Sequence, residues 1–163
     1  MQRFVTTIPA NTVRSIKILE QGVYEVNLVG EGAKAVISGS FALSKSDRRQ
    51  YQVIIHHQAP NTAAQTKLLG TVRDEGFLQL KGQIIIDKDC HDCQSFLTER
   101  VLLLNSTARA EVVPDLEILN NEVHCSHAAS ISRIPETQLF YLQSRGISRR
   151  RAESMIARGF LLQ

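Results

Sequence analysis

From Val13 to Leu119 the chain alternates apolar and polar residues in short runs and never settles into a helical period. Successive side chains of a strand point to opposite faces, so period two marks a half-buried strand. Val23–Val29 shows it most clearly. Tyr24, Val26 and Leu28 fall on one face, and Val23, Glu25, Asn27 and Val29 on the other. Further strands are expected at 13–19, 33–43, 51–57, 65–72, 77–86, 95–104, 108–113 and 116–119. Turn-forming residues separate them, among them Gly30-Glu31-Gly32, Ala59-Pro60-Asn61-Thr62, Asp74-Glu75-Gly76 and Asn105-Ser106-Thr107. About nine strands at intervals of roughly 10–15 residues, with no helix among them, define an all-β unit. Alternation alone leaves sandwich, barrel and solenoid open. Gly39, Gly70 and Gly82 stand inside strand runs, where glycine often marks a bulge or a corner, and corners suit a coiled chain. No short repeat of the hexapeptide kind is present.

The period changes after Ile134. Pro135 suits a helix start, Leu139, Phe140 and Leu142 form an apolar face, and Gly146 is placed to end the helix. Ser148 then caps a second helix, with Ala152, Met155, Ile156 and Phe160 on one side and Arg149, Arg150, Arg151 and Arg158 as the polar complement. Three Arg in a first turn oppose the helix dipole at a few tenths of a kcal/mol each, which points to a partner rather than to the helix. From Arg133 on, six Arg stand against two Glu, so this tail carries +4 of a chain total of +3 and the remainder is −1. The basic tail has no aromatic interleaving for base stacking, so nucleic acid is not expected as a partner. Three cysteines are too few for a disulfide framework and fit a reducing, cytoplasmic setting. No apolar run approaches the roughly 20 residues of a membrane span, and the N-terminus has no signal-peptide core.

The seam between the strands and the helices, Pro114–Ile131, holds the densest group of soft metal ligands: His124, Cys125 and His127. In an extended chain Cys125 and His127 lie side by side and His124 points away. Two ligands do not complete a metal site, which needs about four. Packing of Cys125 as a small apolar residue and of His127 as a core histidine is the competing reading. Cys90-His91-Asp92-Cys93 is half of a zinc or redox motif, with no second Cys-x-x-Cys to complete it and no βαβ setting. Cys90 and Cys93 are therefore read as turn cysteines first and auxiliary metal ligands second. His56 and His57 point to opposite faces, so one is a packed scaffold residue. A Gly-x-Ser-x-Gly elbow, a phosphate-binding Gly-rich loop and a His-Glu-x-x-His helix are all absent. A carbohydrate-active site would need clustered acids, and Glu111, Asp115 and Glu117 are expected around a turn.

Three stretches carry a family resemblance: His56-His57-Gln58-Ala59-Pro60-Asn61-Thr62; Leu103-Leu104-Asn105 through Val113-Pro114-Asp115-Leu116-Glu117-Ile118; and Val-His-Cys-Ser-His-Ala-Ala-Ser from Val123, followed by Leu-Phe-Tyr-Leu-Gln-Ser-Arg-Gly-Ile up to Ile147. The chain resembles the SufB/SufD family of scaffold subunits in SUF iron–sulfur cluster assembly. Cys125-Ser126-His127 is similar to the SufD type. Residues 105–112 contain no Cys where SufB-type chains carry one, and Ala128 stands where they carry Glu.

The resemblance implies a mainly β fold, a short right-handed β-helix over 1–132, followed by a C-terminal α-helical segment over 133–163 that is short for the family, whose members also have an N-terminal helical region with no counterpart here. It implies a non-enzymatic scaffold holding a transient iron–sulfur cluster at a dimer interface through Cys125 and His127. The dimer partner would be a SufB-like or identical chain. A SufC-like ATPase would dock on the helices at Arg145, Arg149, Arg150, Arg151, Met155 and Ile156, this chain itself binding no nucleotide. The alternative is a non-catalytic β-solenoid that pairs with partners and holds no cluster.

Overall fold

The computed structural model describes every residue from Met1 to Gln163. Ten strands come first: β1 (Arg3–Ile8), β2 (Val13–Ile18), β3 (Gly22–Leu28), β4 (Lys34–Leu43), β5 (Arg48–His57), β6 (Ala63–Val72), β7 (Phe77–Ile86), β8 (Cys93–Leu103), β9 (Arg109–Ile118) and β10 (Val123–Arg133). Two helices follow, α1 (Glu136–Ser144) and α2 (Arg149–Leu161). The odd strands form one five-stranded sheet in the order β1-β3-β5-β7-β9, and the even strands form the other, β10-β8-β6-β4-β2. Every pairing is parallel, as in Arg48 with Phe77 and Phe77 with Arg109. Parallel neighbours need a crossover connection. Here the crossover is itself a strand of the opposite sheet, so the chain winds as a β-solenoid in which each coil rests on the one before.

The alternation read from the sequence sorts the two faces. Tyr24, Val26 and Leu28 are buried between the sheets, as are Ala35, Ile37, Val53, Ile55, Leu78, Leu80, Ile84 and Ile86. Phe41 and Tyr51 stack across the interior with ring centroids 3.8 Å apart. The corners lie between the strands, where Asn11, Lys45, Asn61, Asp74 and Asp92 adopt positive φ. Asn and Asp tolerate that region better than most residues.

Gly39, Gly70 and Gly82, by contrast, are not corners. Each keeps an unbroken register with its neighbours, and each faces inward. A Cβ at Gly70 would lie 2.2 Å from Leu78 Cδ2, and one at Gly82 2.3 Å from Leu97 Cδ2. Gly70 and Gly82 give room to large side chains from the opposite sheet, and Gly39 to Phe41 of its own strand and Leu68 of the neighbouring one.

Two other boundaries differ from the sequence reading. β1 was not expected; only Ile8 in it is fully buried, so its apolar signal is weak. Residues 108–113 and 116–119 form one strand, β9, that passes through Pro114. Proline removes a backbone donor, and an outermost strand with one unpaired edge tolerates that best.

The helices lie on the outer face of the even-numbered sheet. Ile134, Leu139, Ala152 and Phe160 pack there against Leu69 of β6 and Leu102 of β8. Phe140 and Met155 are 74% and 46% exposed and lie outside this stripe. A step of about 100° per residue rotates Phe140 away from Leu139 and Leu142, and Met155 away from Ala152 and Ile156. Gly146, at φ +81, ends α1. The Gly146 N–H donates to the Gln143 carbonyl at 2.9 Å and the Ile147 N–H to the Leu142 carbonyl at 3.2 Å, a Schellman pair. Ser148 holds the N-cap position of α2 with an extended backbone, but its side chain makes no capping bond. Neither helix is long and apolar enough to cross a membrane.

Candidate functional site

The two sheets end together. β9 and β10 are the outermost strands at the same end of the coil, so each leaves one row of backbone N–H and C=O groups unpaired. No further coil covers the side chains that these strands turn inward. Leu116, Ile118 and Ile131 are 45%, 38% and 45% exposed for that reason.

Cys125 and His127 lie on this last strand and share its inward face, beside Ser95 and Leu97 of β8. His124 is on the outer face and takes no part. The imidazole of His127 reaches diagonally to Glu99, with Nε2 2.7 Å from Oε2. The Glu99 side chain is fully buried and that of His127 is 4% exposed. A side chain as long as Glu fits here because Gly82 faces it from the other sheet. A Cβ on Gly82 would come within 3.1 Å of both Cδ and Oε1 of Glu99. Glu99 Oε1, His127 Nδ1, Ser95 Oγ and, one coil further in, Thr66 Oγ1 have no hydrogen-bond partner. A buried polar atom left unpaired costs about 1–3 kcal/mol, so such atoms call for a chemical or structural reason. The half-buried Cys125 thiol is pushed up in pKa by burial; a hydrogen bond with the Ser95 backbone opposes this, and the neighbouring Cys93 adds to it.

Glu99 was not among the residues picked from the sequence. The signal was there: Ser95, Leu97, Glu99, Val101 and Leu103 form one alternating series, with a carboxylate in an otherwise inward, mostly apolar row.

Cys90 and Cys93 sit one coil deeper, and both are buried. His57 Nδ1 lies 2.7 Å from Thr62 Oγ1, which in turn is 3.2 Å from Cys93 Sγ. Cys90 Sγ donates to the His57 carbonyl at 3.4 Å. Burial pushes His57 down to about 4 and Cys90 up to about 11, so neutral imidazole and thiol are the stable forms near pH 7. His56, on the opposite face, pairs with Asp87 at 2.9 Å. No group of three or more His, Cys, Asp or Glu side chains anywhere in the chain is arranged to hold a metal ion. Cys125 with His127 and Cys90 with Cys93 thus remain two-residue sets.

On the helices, Arg149 bonds Glu136 at 2.8 and 3.1 Å and Glu153 at 3.2 Å, tying α1 to α2. The Arg145 guanidinium lies 5.5 Å from the Tyr141 ring centre. Arg150 and Arg151 are exposed and make no side-chain hydrogen bond or ion pair, Met155 is exposed, and Ile156 packs partly into the helix–sheet contact. The acids Glu111, Asp115 and Glu117 do not surround a turn. They project from one outward face of β9 into solvent, because residues two apart on a strand share a face, and Glu111 accepts a bond from Gln79 at 2.7 Å.

Fold and site together define a parallel β-solenoid with helices packed on one sheet and a thiol–imidazole pair at its uncovered end. The family model for the SUF system FeS cluster assembly SufBD core domain matches residues 12–160. An iron–sulfur cluster assembly SufBD family protein of Mycobacterium bovis is 31% identical over 135 residues, covering 82% of this chain and 16% of the relative. Others from Staphylococcus saprophyticus and Staphylococcus epidermidis are 32% identical over 135 residues, covering 82% of this chain and 29% of each relative. The chain belongs to the SufBD family of the SUF iron–sulfur cluster assembly system. The match spans between 16% and 29% of the length of these relatives.

Proposed function

We propose that this chain is a scaffold for iron–sulfur cluster assembly and not an enzyme, the cluster being its cargo. The observation that carries this reading is the placement of Cys125 and His127 together on the inward face of the last strand, at a free sheet edge. Thiolate and imidazole are both ligands of iron–sulfur clusters. Two of them are half a set, and an unpaired edge invites a second chain. A SufB-like or identical chain adding its strand along β9 or β10 would bury Leu116, Ile118 and Ile131 and bring the remaining ligands. Cys125-Ser126-His127, with no cysteine in 105–112, favours the SufD side of the family. The exposed Arg150, Arg151 and Met155 form the proposed docking face for a SufC-like ATPase, with Arg145, Arg149 and Ile156 supporting it. The setting proposed is the cytoplasm.

Anaerobic reconstitution with ferrous iron and sulfide tests the assignment. The paired chain should retain iron and sulfide, and Cys125→Ala and His127→Ala should each lose most of both. Full retention in both variants overturns it. A second reading, a pairing module that holds no cluster, draws on the inward orientation of His127 and its bond to Glu99. Metal analysis of protein purified without oxygen separates the two.

A further inference from the structure

We propose that Glu99 is a positioning residue that selects which nitrogen of His127 is free to bind. The inference deepens the cluster-ligand reading of His127 and rests on it for its functional meaning. An ionised carboxylate only accepts hydrogen bonds. Glu99 Oε2 lies 2.7 Å from His127 Nε2; with the carboxylate as the acceptor, the Nε2–H donates to it and the lone pair of the neutral ring resides on Nδ1. Nδ1 has no partner in the folded chain. Histidines that bind metal commonly hold the other ring N–H on a carboxylate, which fixes tautomer and orientation and makes the ring a better donor.

Three features show that the arrangement is built. Glu99 is fully buried in a row of inward side chains that is otherwise mostly apolar. Gly82 supplies the space, since a Cβ there would press on Glu99 Cδ and Oε1 at 3.1 Å. His127 stands in register with Leu97, not with Glu99, so only a diagonal reach by both side chains closes the contact. When iron binds Nδ1 no proton need move: Nε2–H stays on Glu99.

The test starts with the metal-free full chain carrying 15N-histidine, at a pH where the ring is neutral. The expected spectrum assigns to His127 a single tautomer with its proton on Nε2. In Glu99→Gln, where the amide can accept or donate, and in Glu99→Leu, where it can do neither, both tautomers should appear. Circular dichroism confirms the fold of each variant. A native His127 protonated on Nδ1, or a tautomer unchanged in Glu99→Leu, overturns the proposal, and the native spectrum alone suffices for the first. In anaerobic titrations with ferrous iron, Glu99→Gln should weaken retention by about 10- to 100-fold. The two readings fail separately. If His127→Ala keeps its iron while the tautomer still follows Glu99, the ligand role fails and positioning stands. If His127→Ala loses iron while the tautomer ignores Glu99, positioning fails.

Discussion

The solenoid contains two His–Cys groups of similar composition, and they differ in how they are enclosed. In the inner one, His57 meets Thr62, Thr62 meets Cys93, and Cys90 donates to a backbone carbonyl. Coils lie on both sides, and only His57 Nε2 lacks a partner. In the outer one, His127 meets Glu99, Cys125 is half-buried, and four polar atoms in and around the group are unbonded. Similar side chains are thus enclosed and mostly bonded in one place and left partly uncovered and unbonded in the other. What decides is whether another coil covers them.

Thiol reactivity should break this comparison most sharply. Cys90 and Cys93 are protected by the whole fold, whereas Cys125 needs only opening of the last strand. Under native conditions a maleimide or iodoacetamide should label Cys125 at least about a thousandfold faster than either of the others, given stabilities of several kcal/mol. Comparable rates by peptide mass spectrometry would show that the inner group is not closed.

Acid should unfold the chain through the inner group. The folded pKa of His57, about 4, lies below its ordinary value near 6.5. Between these values the unfolded chain binds the extra proton, so stability falls as pH drops from about 6.5 to 4 and levels off below. The contribution of this residue is about 3 kcal/mol. Urea midpoints at pH 7 and pH 4.5 measure the loss, and His57→Asn should flatten the difference.

Gly82→Ala should cost about 1–3 kcal/mol by crowding Leu97 and Glu99. It should also disturb the His127 resonances and leave those of His57 in place. Gly146→Ala sets a baseline far from both groups. With nothing within 4 Å of the added methyl, only the positive φ is penalised, by about 1 kcal/mol in thermal unfolding. Ser95→Ala is the one change expected to stabilise, by about 1 kcal/mol in the same measurement, because the hydroxyl it removes is buried without a partner.

Much of this was legible before the structure. Period-two alternation located most of the strands, sorted the two faces of Val23–Val29 and put Cys125 and His127 on one side, and the loss of that period marked the change to helix after Ile134. Gly146 was readable as the end of α1 because few other residues take its φ. Strand connectivity was not readable, since alternation reports which face a side chain takes and not which strand lies beside it. The glycines were misread for a related reason. Gly82 answers to Leu97 and Glu99, more than ten residues away in sequence and across the interior. Pro114 signalled a break that an edge strand did not need. Phe140 and Met155 were grouped with the apolar faces of their helices on their apolar character, although their angular positions put them outside the buried stripe.

The connection between strand and helix is short. β10 ends at Arg133 and α1 begins at Glu136, leaving Ile134 and Pro135 as the whole joint. Ile134 is buried with Leu139 against Leu102, and Arg149 clasps α1 to α2. Two residues span about 7 Å of extended chain. The helix pair therefore acts as a handle with no slack at the joint: a pull that lifts it off Leu69 and Leu102 is passed straight to the end of β10, the strand that carries His127.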